Sequence, residues 1–438
     1  MDLLFDKYCT TMNMTAPGFE TTTRMNILHI AGKLDPRLGG VAQAIRTIVS
    51  GLEELGFYNE VVSLDNPQAP FLKETPFVIH TPGEGQTAWY YSAKLKPWLK
   101  INCLRFDIVI VHGLWQYHGY ALQRLFRQLK KRIPQLPAVY VMPHGMLDPW
   151  FQAVQGRRLK AIRNWCYWKL IEKKLVNGAD GLLFTSLEEQ MQASLPFRPY
   201  KPKHTTVVGL GVQEPPLFTE NMQKAFLNKC PEVMNRNYLL FLGRIDEKKG
   251  VDLLLEAYDK IAVEYATDNA TENYQFPMLV IAGPGLNTPY GKKVKRIIAN
   301  SQLLKFLVAF PDMLNGDAKW GAFYCADAFI LPSHQENFGM ALVEALACGK
   351  PALISNKVNI WREVIEMQGG LAEEDTAAGT LSLLNRWMTL RPEQQRLMAV
   401  RAKQCYERQF SVEMATKRML RALGIDHKPV KQLSNILL

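Results

Sequence analysis

Short runs of apolar and β-branched residues alternate along this chain with longer stretches whose apolar positions recur at helical spacing. The first runs lie at residues 25–30, 61–64, 107–111, 138–142, 181–186 and 205–208. They are too short for helices and almost continuously apolar, the pattern of strands buried on both faces of a parallel sheet. The alternation stalls over residues 209–237, where Pro215, Pro216 and Pro231 stand among polar residues. It restarts at 238–243, 278–283, 306–310, 327–332 and 351–355. Two α/β domains in tandem are predicted: an extension at 1–24, expected to be poorly ordered, a first domain at 25–214, a linker at 215–236 and a second domain at 237–400. The polar segment 266–276 reads as a surface insertion. Residues 392–423 carry two charged amphipathic helices with Gly424 as their stop, so 401–438 is read as C-terminal helices that can cross back to the first domain.

Composition narrows the partners more than the fold. With 438 residues the chain exceeds one hydrophobic core, in keeping with two domains of roughly 200 residues. Its seven cysteines are scattered singly, without a C-x-x-C pair, which argues against a disulfide framework or a zinc site. The first residues mix Asp2, Asp6 and Lys7 with polar side chains, unlike a secretory leader, and no apolar run approaches the roughly 18 residues that span a bilayer. A cytoplasmic protein is expected, soluble or peripheral on the cytoplasmic face of a membrane. The formal charge of +11 favours anionic partners without choosing among them, and no nucleic-acid reader motif accompanies it.

Three segments follow strands where ligands bind in open α/β sheets. Gly39 and Gly40 stand between the first strand and a helix expected to start near Val41. Their backbone N–H groups suit an anion at a helix N-terminus, though a plain strand-to-helix turn would use them equally. Residues 241–250 bring Arg244 and Lys249 to the end of the first strand of the second domain, where the two could converge on a diphosphate or form a solvated basic loop. Residues 331–351 combine a strand end, a loop bearing Glu336 and Asn337, then Phe338, Gly339 and Met340 opening a helix that contains Glu344. Free first-turn N–H groups hold phosphate, and two carboxylates accept hydrogen bonds from hydroxyls.

Glu336 and Glu344 form an E-x7-E pattern. With Asn337-Phe338-Gly339 and the run Glu344 to Pro351 it resembles the donor-site signature of glycosyltransferase family four, retaining enzymes of GT-B fold. Gly243, Arg244, Lys249 and Gly250 resemble that family's diphosphate motif, and Gly39-Gly40 its N-terminal glycine loop. The likeness runs in order from about Met25 to the last helices. It implies two Rossmann-like domains facing each other across a cleft and retaining transfer from a nucleoside diphosphate sugar to a saccharide or lipid-linked saccharide acceptor. Glu336 would contact the sugar near the reacting carbon and Glu344 the ribose. Arg244, Lys249 and the backbone at Phe338, Gly339 and Met340 would hold the departing diphosphate. His144 resembles the histidine that touches the donor sugar or helps at the reaction centre, the alternative being a histidine bonded into a turn.

His112, at another strand end, either lines the acceptor side or is structural. Asn337 is a further candidate sugar contact, and Asn359 and Trp361, placed after the last strand, either flank the nucleotide or belong to the core. No cofactor is implied beyond the donor substrate. Nor is a metal, because aspartates never stand two apart as in a D-x-D motif. Basic stretches at 124–132 and 156–174, the second with Trp165, Tyr167 and Trp168, fit an anionic membrane surface or an ordinary helix packing its aromatics inward. A dehydrogenase is disfavoured, since 283–288 lacks the third glycine of G-x-G-x-x-G, whereas a non-catalytic nucleotide-sugar binder would carry the same site.

Overall fold

The computed structural model describes residues 25–150, 158–268 and 276–425. The extension at 1–24, the middle of the insertion at 266–276 and the basic and apolar tail lie outside them. The first sheet contains seven parallel strands: β1 (Asn26–Ile30), β2 (Tyr58–Val62), β3 (Val78–His80), β4 (Ile108–His112), β5 (Ala138–Met142), β6 (Gly181–Phe184) and β7 (Thr205–Val207). Their order is β3-β2-β1-β4-β5-β6-β7. The second sheet has six: β8 (Tyr238–Leu242), β9 (Met278–Ala282), β10 (Val308–Ala309), β11 (Ala328–Leu331), β12 (Ala352–Ser355) and β13 (Gly370–Glu373). These follow the order β10-β9-β8-β11-β12-β13. Both are doubly wound α/β sheets, and in each the strand order reverses beside the first strand of the set, at β1/β4 and at β8/β11.

The central strands are apolar on both faces because helices cover both. Every residue of β4, β9, β11 and β12 is buried. Two strands escape the apolar pattern, β3 and β13. Both sit at sheet edges, and β13 opens with Gly370, whose missing Cβ lets Ala352 approach. Asn359 and Trp361 therefore precede the last strand instead of following it. The stretch read as a linker also holds a helix, Glu220–Lys229, packed against the helix Gly316–Cys325 of the second half. At the C-terminus the helix Val412–Ala422 lies on the helix Gly40–Glu54, and Arg418 donates to the carbonyl of Val208 at 3.0 Å. The chain thus returns to its first half.

Loops at the carboxyl ends of both sheets meet. Gln335 Nε2 donates to Asp148 Oδ2 at 2.7 Å, Asn337 Nδ2 to Thr185 Oγ1 at 3.1 Å, and Arg362 Nε to Glu188 Oε2 at 3.2 Å. An open cavity of about 550 Å³ lies beside these clasps, lined by Asp148, Trp150, Glu188, His334, Gln335 and Asn359 among others. A second cavity, of about 460 Å³, opens near Pro137 and Asp180 at the amino ends of β5 and β6, the wrong side of a parallel sheet for a ligand.

Candidate active site

The second half assembles its charged groups at the switch point between β8 and β11. After β8 the chain makes a tight 3-10 turn, Glu247–Lys249, capped by the Asp246 carboxylate on the N–H of Lys248. It ends at Gly250, whose φ of +66° is left-handed and whose Cβ would stand 2.3 Å from the Pro332 carbonyl. Only glycine lets this turn lie against the loop after β11, and that approach places Lys249 Nζ in an ion pair with Glu336 Oε2. Both side chains are largely enclosed, at 14% and 20% exposure. Burial would raise the Glu336 carboxyl, but Lys249, helped by Lys248 and the N–H of Phe338, outweighs it and holds the group below the usual glutamate range. Glu336 is anionic.

The remaining members divide. Glu344 Oε1 accepts from Lys319 Nζ at 2.9 Å, a partner 25 positions upstream that no local spacing announces. The helix Met340–Ala347 begins at Gly339, with φ of +79°, and has no side-chain cap, so no side chain takes up its first N–H groups. The buried ring of Phe338 packs edge-on against Phe410 at 5.7 Å. Arg244 stands apart, 71% exposed and 3.9 Å from Asp246. Asn337, expected to face a sugar, instead bridges the halves through Thr185, and its Oδ1 lies 3.4 Å from Asn359 Nδ2.

Across the cleft, Gly39 is the N-cap of the helix Gly40–Glu54, with φ of +95° and no side-chain cap bond, and is exposed together with Gly40. His144 follows β5 and is buried; its Nε2 lies 3.0 Å from His112 Nδ1. His112 Nε2 in turn lies 3.0 Å from His29 Nδ1. With both ring nitrogens committed to histidines, His112 has none to offer a ligand, although it borders a cavity of about 130 Å³ with Lys33, Tyr90 and Gln116. The loop of His144 is held from beneath by Glu189, which accepts from the N–H of Gly145 at 2.5 Å and of Thr185 at 2.7 Å. Glu189, Lys319, His29 and Asn59 were not singled out in the sequence. His29 and Lys319 gave only the signal of a polar residue among apolar neighbours, Asn59 stood beside a second polar residue, and Glu189 carried the S-x-x-E spacing of a helix start after Ser186.

The basic aromatic stretch divides as well. Trp168 is fully buried against Phe197, and Tyr167 accepts from Trp89 Nε1, whereas Ile162, Trp165 and Leu170 stay 60%, 53% and 69% exposed. Gly156 and Arg157 lie outside the described residues. Among those residues no helix is long and apolar enough to cross a membrane.

Known families match both halves of the chain. The family described as Glycosyltransferase Family 4 matches residues 38–214, and that described as Glycosyl transferases group 1 matches residues 222–404. The chain belongs to this family of glycosyltransferases. A relative from Geodermatophilus obscurus, named D-inositol 3-phosphate glycosyltransferase, is 30% identical over 188 residues, 42% of this chain and 39% of its own length. One of the same name from Frankia alni is 34% identical over 156 residues, 34% of this chain and 36% of its own. The chain therefore spans under two-fifths of the length of these relatives. Among solved structures, a glycosyltransferase from Rickettsia africae superposes with a TM-score of 0.68 at 15% identity, covering 91% of this chain and 98% of that one. Anabaena HepE, solved with UDP and glucose, gives 0.66 at 14%, covering 91% and 99%. The fold is GT-B.

Proposed function

We propose that this chain is a retaining, metal-independent hexosyltransferase that moves a sugar from a nucleoside diphosphate sugar to a hydroxyl of a saccharide or lipid-linked saccharide, in polysaccharide, lipopolysaccharide or glycolipid synthesis. The observation that carries this reading is the anionic Glu336, held by Lys249 at the switch point beside an uncapped helix N-terminus. A carboxylate so placed can stabilise positive charge developing at the sugar carbon, as in glycoside hydrolysis. Lys249, Lys248 and Arg244 can neutralise the diphosphate as the bond to that carbon breaks, in place of a metal. The acceptor hydroxyl then attacks from the face the diphosphate leaves, and its proton passes to the departing phosphate oxygen. Glu344, steadied by Lys319, takes the ribose. Relatives named for glycosyl transfer, and a neighbour of the same fold solved with UDP and glucose, support a nucleotide-sugar donor.

An anionic membrane surface belongs to the same reading. Ile162, Trp165 and Leu170 are exposed on a helical stretch that carries Lys169, Lys173 and Lys174, a set suited to the headgroup region on the cytoplasmic face.

The test is a thermal titration with UDP, GDP, ADP and NAD, run on the native chain and on Glu336→Ala. One nucleoside diphosphate should raise Tm in both proteins, because a ligand that binds only the folded state stabilises it. Glu336→Ala should keep that rise, since it frees Lys249 for the diphosphate, while losing sugar transfer. Stabilisation by NAD alone, or full transfer by Glu336→Ala, would refute the reading.

A further inference from the structure

A line of buried side chains crosses the first sheet from strand to strand, and only its last two members stood out in the sequence. Asn59 of β2 presents Oδ1 3.2 Å from His29 Nε2 on β1. His29 Nδ1 lies 3.0 Å from His112 Nε2 at the end of β4, and His112 Nδ1 lies 3.0 Å from His144 Nε2 after β5. Successive rings are 5.3 Å apart and within 27° of parallel. All four residues are buried.

A hydrogen bond between two ring nitrogens contains one proton, so a line of neutral imidazoles has two arrangements: every ring protonated at Nε2, or every ring at Nδ1. Asn59 makes the choice. Its Nδ2 stands 3.1 Å from the carbonyl of Phe57, which only accepts, so the amide turns its nitrogen there and its oxygen toward His29. His29 must then donate through Nε2, which leaves its Nδ1 bare. His112 must donate into that lone pair, and His144 into the next.

We propose that Asn59, His29 and His112 are positioning residues that lock His144 as the Nε2–H tautomer, leaving its Nδ1 as a hydrogen-bond acceptor for a substrate hydroxyl. Burial supports the neutrality this requires, pushing His29 and His144 down to about 4 and His112 well below its ordinary value. An acceptor nitrogen suits a sugar hydroxyl and repels a phosphate oxygen, so the tautomer directs His144 to the sugar and away from the diphosphate. The substrate half of this inference rests on the transferase reading; the tautomer half rests on geometry alone.

Long-range proton–nitrogen correlation spectra of the full chain, labelled with ¹⁵N-histidine and recorded near neutral pH, test it. The signal absent from His144→Asn identifies His144, and asparagine tolerates the φ of +53° there. In the native chain that signal should show Nε2–H with a bare Nδ1. Asn59→Gln, which keeps an amide acceptor for His29 and an amide donor, should leave the pattern intact. Asn59→Leu, which removes it, should give a mixture and lower kcat at least about tenfold with little change in KM for the donor, since a wrong tautomer withdraws the acceptor that His144 offers the sugar hydroxyl. His144 found as Nδ1–H or as imidazolium in the native chain would overturn the line even if neither Asn59 variant folds. The expected tautomer in a chain that binds no nucleoside diphosphate sugar would instead overturn the transferase reading and leave the line standing.

Discussion

Burial alone favours the neutral form of a carboxyl, and two glutamates in the two halves of the molecule show what decides the outcome. Glu336 has a lysine against it and stays charged. Glu172, on the stretch Trp168–Glu172, has only the N–H of Trp115 on Oε1 at 3.0 Å, and its buried Oε2 has no hydrogen-bond partner among the described residues. Burial pushes its carboxyl up to about 8. The folded state therefore binds this proton more tightly than the unfolded chain does. Stability is full below about pH 4.5 and is lost as pH rises toward 8. Glu172→Gln keeps the shape and the acceptor for Trp115 without the charge. It should stabilise the protein by roughly 1–3 kcal/mol near pH 7, and by about a quarter of that at pH 5. Urea unfolding of both proteins at the two pH values measures this, and equal midpoints at pH 7 would show that Glu172 carries no such penalty.

Elements bring these residues together, and how far the sequence revealed them depends on whether the partner is local. The β11 strand, its loop and the helix 340–347 form one contiguous stretch, so Glu336, Gly339 and Glu344 could be read together. Lys319 reaches Glu344 only because helix 316–325 packs beside helix 340–347, and the line from Asn59 to His144 exists only because β2, β1, β4 and β5 are neighbours. No periodicity along the chain encodes those adjacencies. Edge strands β3 and β13 were missed for a related reason, being short and without the apolar run that double burial demands. Gly250 illustrates the opposite case, a residue whose role was legible and whose cause was not. Its missing Cβ admits the Pro332 carbonyl and so joins the turn 247–249 to the loop of Glu336. Gly250→Ala should strain both the left-handed φ and this contact, costing about 1–3 kcal/mol. It should also weaken nucleoside diphosphate binding more than Arg244→Ala does, because Arg244 is not part of the join. Calorimetric titration of both variants checks the order, and a tight-binding Gly250→Ala would show that the turn does not set the position of Lys249.

The whole molecule distributes its titratable burden unequally. His29, His118 and His144 are pushed down to about 4, and His112 well below 6.5, each chiefly by burial, and all four lie in the first half. Their folded values are depressed below the unfolded one, so the stability they contribute is present above about pH 6.5 and is lost as pH falls toward 4. At pH 5 each of the three with a value near 4 costs about 2 kcal/mol, less when summed because their hydrogen bonds couple them. The described histidine of the second sheet's loops, His334, is instead partly exposed, with Nδ1 3.0 Å from Asp375 Oδ2. Acid should therefore weaken the first half selectively. Two kinds of contact tie the halves together: the polar clasps Gln335 to Asp148, Asn337 to Thr185 and Arg362 to Glu188, and the apolar docking of helix 412–422 on helix 40–54, where Met419 and Leu420 share a buried cluster with Ile48 and Leu52. Such clasps hold two comparably stable halves in one transition and release them when one half weakens. Scanning calorimetry should show one transition near pH 7 and, near pH 5, an earlier one assignable to the first half, with a donor nucleotide shifting mainly the later one because the diphosphate groups lie on the second half. A single transition that moves as a unit between the two pH values would mean that the interface, and not the buried histidines, governs acid unfolding.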